Sequence, residues 1–222
     1  MFASVPYSPV DPPADPLAAA RAFHARMSGR RSVREFSDRP VSRATVEACV
    51  AAAGTAPSGA NKQPWRFVAV CDPGLKRAIR LGAEEEERKF YAERATPEWL
   101  ADLAPIGTDA DKGFLETAPW LIAVFRRTRD DRPGRASDKV YYPVESVGIA
   151  VGFLLAAIHH AGLVALTHTP SPMTFLGTIL DRPADERPFL LIPIGYPAEG
   201  CRVPAIERRP LGEILVVRGE AP

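Results

Sequence analysis

Three groups of residues have the types and spacing to do chemistry. In Arg30-Arg31-Ser32-Val33-Arg34, an extended backbone would put Arg30, Ser32 and Arg34 on one side, so that two guanidinium forks and a hydroxyl surround a small volume. A phosphate monoester offers about −1.5 to −2 charges and three acceptor oxygens, which such a set matches; a solvated basic turn is the competing reading. Pro57-Ser58-Gly59-Ala60 fixes a tight turn with small side chains, which lets backbone N–H groups approach a flat ligand, although most loops of this kind are only loops. In the run from Glu84 to Tyr91, Glu87 and Tyr91 stand four apart and share a helix face. With Lys112 they supply a carboxylate, a phenol and an ammonium, the groups that would grip the charged ends of a free amino acid. A run of glutamates is more commonly a solvated helix face.

Other chemistry is disfavoured. No GxGxxG and no GxxxxGK[ST] occurs, so neither a Rossmann dinucleotide site nor a P-loop is expected. Cys49, Cys71 and Cys201 are odd in number and far apart, and His24, His159, His160 and His168 form no HExxH. This argues against a disulfide framework and a zinc site. Lys plus Arg number 28 against 27 for Asp plus Glu, a net charge of +1, which gives no whole-protein field to attract nucleic acid or anionic lipid. The hydrophobic fraction of 46% in 222 residues suits one globular domain. Residues 1–16 lack the basic-then-apolar order of a signal peptide, and the apolar run 147–158 falls short of the ~20 residues that span a bilayer. A soluble cytoplasmic protein is expected.

The elements that must position these residues follow from period and punctuation. A flexible arm over 1–15 precedes a helix at 16–27; Ser42 caps a second at 43–53, ending at Gly54. Residues 55–65 carry every loop signal, and 66–71 read as a strand. A long polar helix over 73–94, interrupted near Gly82, is followed by helical pieces at 97–103 and 109–117, the second carrying Lys112. Strands are predicted at 120–125, 163–166 and 188–195, with helices at 144–160 and 173–180, a charged loop at 126–137 and an extended tail beyond Tyr196. Strands alternate with helices, which gives an α+β or α/β class with one sheet between helical layers. Gly148 and Gly152, four apart on the apolar helix, cost about 1 kcal/mol each relative to alanine. Close approach of another helix would offset that, either within the chain or across a dimer interface.

The strings RRSVREF, AAAGTAPSGANKQPW, ETAPWLIAVF and GLVALTHTP, with ERRPL in the tail, resemble the nitroreductase superfamily from about Arg30 to Val216, and within it the iodotyrosine deiodinases. The resemblance implies an α+β fold, a central mixed sheet flanked by helices, in a domain-intertwined homodimer whose tail, 197–222, wraps the partner. It implies FMN as cofactor. Arg30, Arg31, Ser32, Arg34 and Arg208 would hold its phosphate, and Pro57, Ser58 and Ala60 would lie along the isoalloxazine. Thr169 would be the hydroxyl beside flavin N5, where a rotor that both donates and accepts can serve either oxidation state.

His168 departs from the pattern, standing where related deiodinases have Thr. Glu87, Tyr91 and Lys112 match the zwitterion clamp of the deiodinases within a lid over 84–113, Glu87 toward the ammonium and the other two toward the carboxylate. The Ala60 N–H would meet the phenolate. The implied activity is reductive removal of iodide, bromide or chloride from 3-halotyrosine, giving tyrosine. The alternatives are a broad NAD(P)H-dependent nitro or quinone reductase, the flavin-cleaving enzyme that makes a cobalamin lower ligand, and a non-catalytic flavin-binding protein.

Overall fold

A computed structural model describes residues 4–8, 11–134 and 137–219. Parts of the expected arm, of the charged loop and of the tail end lie outside these described residues. The helices begin where the sequence supplies caps. Asp15 accepts from the N–H groups of Leu17 and Ala18, with Pro16 opening α1, Pro16–Ser28. Ser42 accepts from the Thr45 N–H at 3.2 Å and starts α2, Arg43–Gly54. Each satisfies a donor that the first helical turn leaves unpaired.

Among the described residues four strands form one sheet in the order β1-β2-β4-β3: β1 Trp65–Val70, β2 Trp120–Arg127, β3 Val164–Ala165 and β4 Glu186–Gly195. All three pairings are antiparallel. Among the described residues the parallel component of the expected mixed sheet is one bridge, Ser32 to Ala165. Strand β2 is central and sorts its side chains by the two-residue period of a strand. Ile122 and Val124 join a core with α2 and with α6, Pro143–His160, whereas Leu121, Ala123 and Phe125 join a second core across the sheet. That second core holds Ile79 and Ala83 of α3, Pro73–Lys89, Leu115 of α5, Phe114–Thr117, and Leu176 of α7, Thr174–Ile179. The sheet therefore lies between two helical layers.

Three expectations are corrected here. No break occurs at Gly82: α3 runs through it, because the missing side chain makes room for the ring of Phe175, whose Cδ2 would lie 2.6 Å from an added Cβ. The α3 helix passes directly into one π turn, Phe90–Arg94, before α4, Pro97–Leu103. Lys112 is not helical, since α5 begins only at Phe114 and residues 107–113 form a turn. The tail is extended except for α8, Leu211–Ile214.

By length and composition α6 is apolar enough to cross a membrane, yet its Val147, Val151, Leu154 and Ile158 face is core. Its opposite face leaves Ile149 and Phe153 exposed. A Cβ at Gly148 or Gly152 would meet nothing within 4 Å, so these glycines do not serve a close contact within the chain.

Candidate active site

Helical spacing and one turn bring Glu87, Tyr91 and Lys112 together, although Lys112 is distant in sequence. Glu87, in the last turn of α3, and Tyr91, in the π turn, project from one face into a cavity of about 300 Å³. Lys112 arrives from the turn before α5 and is only 2% exposed. Its Nζ lies 3.6 Å from Glu87 Oε2, and it donates to the Asp109 carbonyl and, at 3.4 Å, to Thr108 Oγ1. Tyr91 donates its hydroxyl proton to the Thr108 carbonyl at 3.0 Å.

The turn itself is fixed by Glu84, which accepts from the Lys112 N–H at 3.0 Å and from Arg80 at 2.7 Å. Sequence reading missed Glu84 as a support. The Arg80–Glu84 spacing of four was the available signal.

The same cavity is lined by Arg34, His168 and Thr169, with Phe90, Trp99 and Ile106 as an apolar wall. Burial pushes the Glu87 carboxyl up, against the opposing pull of Lys112 and Arg94. Burial likewise lowers Lys112, with Glu87 and Asp109 acting the other way, and raises the Tyr91 phenol. Glu87 and Lys112 are charges drawn out of water, whereas Tyr91 stays a neutral phenol able to donate. His168 is buried with its Nδ1 3.9 Å from Glu87 Oε1; burial, then Lys112 and Arg34, lower its pKa to about 3, so the imidazole is neutral at ordinary pH. The departure from Thr therefore places a neutral ring beside Thr169, with Nε2 buried and lacking a hydrogen-bond partner among the described residues.

The basic segment is extended as expected, with Ser32 bridged to Ala165, but its arginines separate. Arg34 turns into the lid cavity, whereas Arg30 and Arg31 line a different one beside His159 and Val203. The tail contributes to this second group. Arg208 donates to the carbonyls of Ser28 and Arg30 at 3.0 and 2.6 Å, and Arg31 donates to the Pro204 carbonyl. Burial, Arg208 and Arg31 all lower the Arg30 guanidinium. Among the described residues no carboxylate forms an ion pair with Arg30, Arg31 or Arg208, and this uncompensated positive charge fits a phosphate dianion.

Pro57, Ser58 and Ala60 do not line the lid cavity. Their loop packs instead against Tyr141 and Arg132. Within one chain the structure brings Glu87, Tyr91, Arg34 and Thr169 to one cavity with Lys112 beside Glu87, gathers Arg30 and Arg31 at a separate one with the sequence-distant Arg208 bonded to the Arg30 carbonyl, and leaves the 57–60 residues apart.

This sheet between helical layers, with its lid and basic segment, places the chain in the nitroreductase family, whose model matches residues 27–196; the chain belongs to that family. Within it, the chain is 54% identical over 216 residues to the iodotyrosine deiodinase of Haliscomenobacter hydrossis, covering 97% of each protein. It is 39% identical over 208 residues to iodotyrosine deiodinase 1 of Homo sapiens, covering 92% of this chain and 71% of that one. A solved iodotyrosine deiodinase bound to FMN and 3-iodo-L-tyrosine superposes with a TM-score of 0.74 at 29% identity, covering 90% of this chain and 99% of that one.

Proposed function

We propose that this protein removes halide reductively from 3-halotyrosine with FMN as its cofactor. The carbon–halogen bond breaks, halide leaves, and two electrons with one proton restore the ring C–H of tyrosine. Bound, reduced FMN supplies the electrons, and a reduced nicotinamide, NAD(P)H, is the class of reductant that recharges it. The observation that carries this reading is that Glu87 and Tyr91 line one cavity with Thr169, and that the buried Lys112 stands 3.6 Å from Glu87 beside it. Glu87 takes the amino acid's ammonium, and Tyr91 and Lys112 its carboxylate, each a charge-assisted contact made where water is thin. Thr169, which lines the same cavity, would set its hydroxyl against bound flavin. Arg30, Arg31, Ser32 and Arg208 would hold the phosphate end, with Arg34 turned to the cavity of Glu87 and Tyr91, and the lid, 84–113, would exclude water while the halogenated ring is held in place.

Pro57, Ser58 and Ala60 would come from a second copy of the chain, with Ser58 and Pro57 toward the flavin and the Ala60 N–H toward the phenolate. What supports a homodimer is the pairing of an incomplete site with an unpartnered apolar face: Ile149 and Phe153 flank the open surface over Gly148 and Gly152. Exposed Ile214, Val216 and Val217 in the tail suit wrapping around a partner.

The test is anaerobic reduction of the FMN-loaded protein followed by 3-iodotyrosine. Flavin reoxidation with stoichiometric tyrosine and iodide is expected. Reoxidation by nitroaromatics or quinones but none by 3-iodotyrosine would replace this reading with that of a broad NAD(P)H-dependent reductase.

A further inference from the structure

Away from the clamp, a second cluster of buried charge stands at the base of the 57–63 loop. Lys62 and Asp130 are both buried, with Lys62 Nζ 3.1 Å from Asp130 Oδ2 and donating to the Ser137 carbonyl at 2.6 Å. Arg132 clasps the same carboxylate with two bonds, Nε to Oδ1 at 2.8 Å and Nη2 to Oδ2 at 2.9 Å. That Nη2 also donates to the carbonyls of Asn61 at 2.9 Å and Lys62 at 3.0 Å. A single guanidinium thus joins the charged loop after β2 to the backbone that follows Ala60.

The backbone so held is an uncommon one. Ala60, Asn61 and Gln63 have φ of 50°, 52° and 49°, the left-handed region that costs a non-glycine residue roughly 1 kcal/mol or more and persists only where the surroundings over-determine it. Gly59 is pressed so closely to Tyr141 that an added Cβ would lie 2.8 Å from its carbonyl oxygen, and Ser58 Oγ accepts from the Gln63 N–H at 2.9 Å. The turn's own bonds run from the Asn61 N–H to Ser58 O and from the Lys62 N–H to Gly59 O, and neither uses the Ala60 N–H. A buried ion pair is a weak source of stability, because desolvation offsets most of its attraction. Its geometry can nonetheless specify one loop conformation.

We propose that Lys62, Asp130 and Arg132 are positioning residues for the Ala60 backbone N–H, fixing the donor that receives the phenolate of the substrate. This rests on the reading of Ala60 given above. The consequence is selective: disturbing the cluster weakens recognition of the phenolate and leaves the grip of the lid on the zwitterion intact.

The experiment uses FMN-loaded protein and two ligands, 3-iodotyrosine and its O-methyl ether, which keeps both charged ends but cannot form a phenolate. Affinities are read from flavin fluorescence. The parent should prefer the free phenol, and Asp130→Asn should reduce that preference about tenfold, the scale of one hydrogen bond to a charged group, with the ether's affinity and FMN retention unchanged. Arg132→Lys, which keeps the charge but loses the fork and a carbonyl bond, should show a smaller reduction in the same direction, and it carries the comparison if Asp130→Asn does not hold FMN. Equal weakening of both ligands, or an unchanged preference in the folded variants, would overturn the proposal alone. A parent that shows no preference for the free phenol would overturn the reading of Ala60 and this proposal with it.

Discussion

Glu87 and Tyr91 line a cavity walled by their own chain, with Lys112 3.6 Å from Glu87 in the adjoining turn; at the 57–63 loop, Arg132, paired with Asp130, donates to the carbonyls of Asn61 and Lys62, and Pro57 and Ala60 are exposed. Both regions bury charge and both are tied by side chain-to-backbone bonds. They differ in where the ligand-facing groups point. The lid is assembled by helical spacing plus one turn, so a single chain completes it. The loop is organised in advance and its Pro57 and Ala60 face outward, so in the proposed homodimer they would become part of a site only when the second copy is laid against them. A loop fixed firmly at a surface is what such a shared site would require.

Breaking that shared site should give the largest effect. Phe153→Asp places a charge on the exposed apolar face of α6, and sedimentation should show a monomer that no longer retains FMN. A monomer with full FMN occupancy would separate the loop from the flavin site. Next, Glu87→Gln and Lys112→Ala should weaken 3-iodotyrosine binding by about 30-fold or more, the cost of removing one member of a buried charged set, while FMN titration stays unchanged. Comparable affinity in both variants would remove the clamp.

Gly82→Ala tests the seating of the lid helix. An added Cβ would lie 2.6 Å from the Phe175 ring, which should cost about 1–3 kcal/mol and lower Tm by several degrees, measured by calorimetry. The smallest effect is on pH dependence. Burial, Lys112 and Arg34 lower His168 to about 3 from the 6.5 of a free imidazole, so between those values the unfolded chain binds a proton that the folded one refuses. Stability from this group is complete above about pH 6.5 and is lost as pH falls, by about 1.4 kcal/mol per unit. Urea unfolding of His168→Thr at pH 6 and pH 5 should show a shallower acid decline than the parent.

How much of this was legible in the sequence depends on the range of the contacts involved. The Ser42 cap, the two-residue period of β2 and the Glu87–Tyr91 spacing are local and could be read directly. Period alone also put Arg30 and Arg34 on one side of an extended segment, but they line different cavities, because Arg208 and Pro204, far along the chain, hold the Arg30–Arg31 turn. The helix expected through Lys112 failed for a similar reason. Carboxylates at Glu84 and Asp111 take the N–H groups of Lys112 and Gly113, and only the family resemblance joined this lysine to the clamp. Gly82 read as a breaker because its partner, Phe175, lies on another helix.

The turn that carries Lys112 has a consequence for how fast and how tightly a ligand is taken up. Its ammonium is already engaged by the Asp109 carbonyl, Thr108 and Glu87, so an arriving carboxylate trades places with protein oxygens instead of entering empty space. Affinity would then come from the set acting together, since removing any one member leaves the others buried and unpaired.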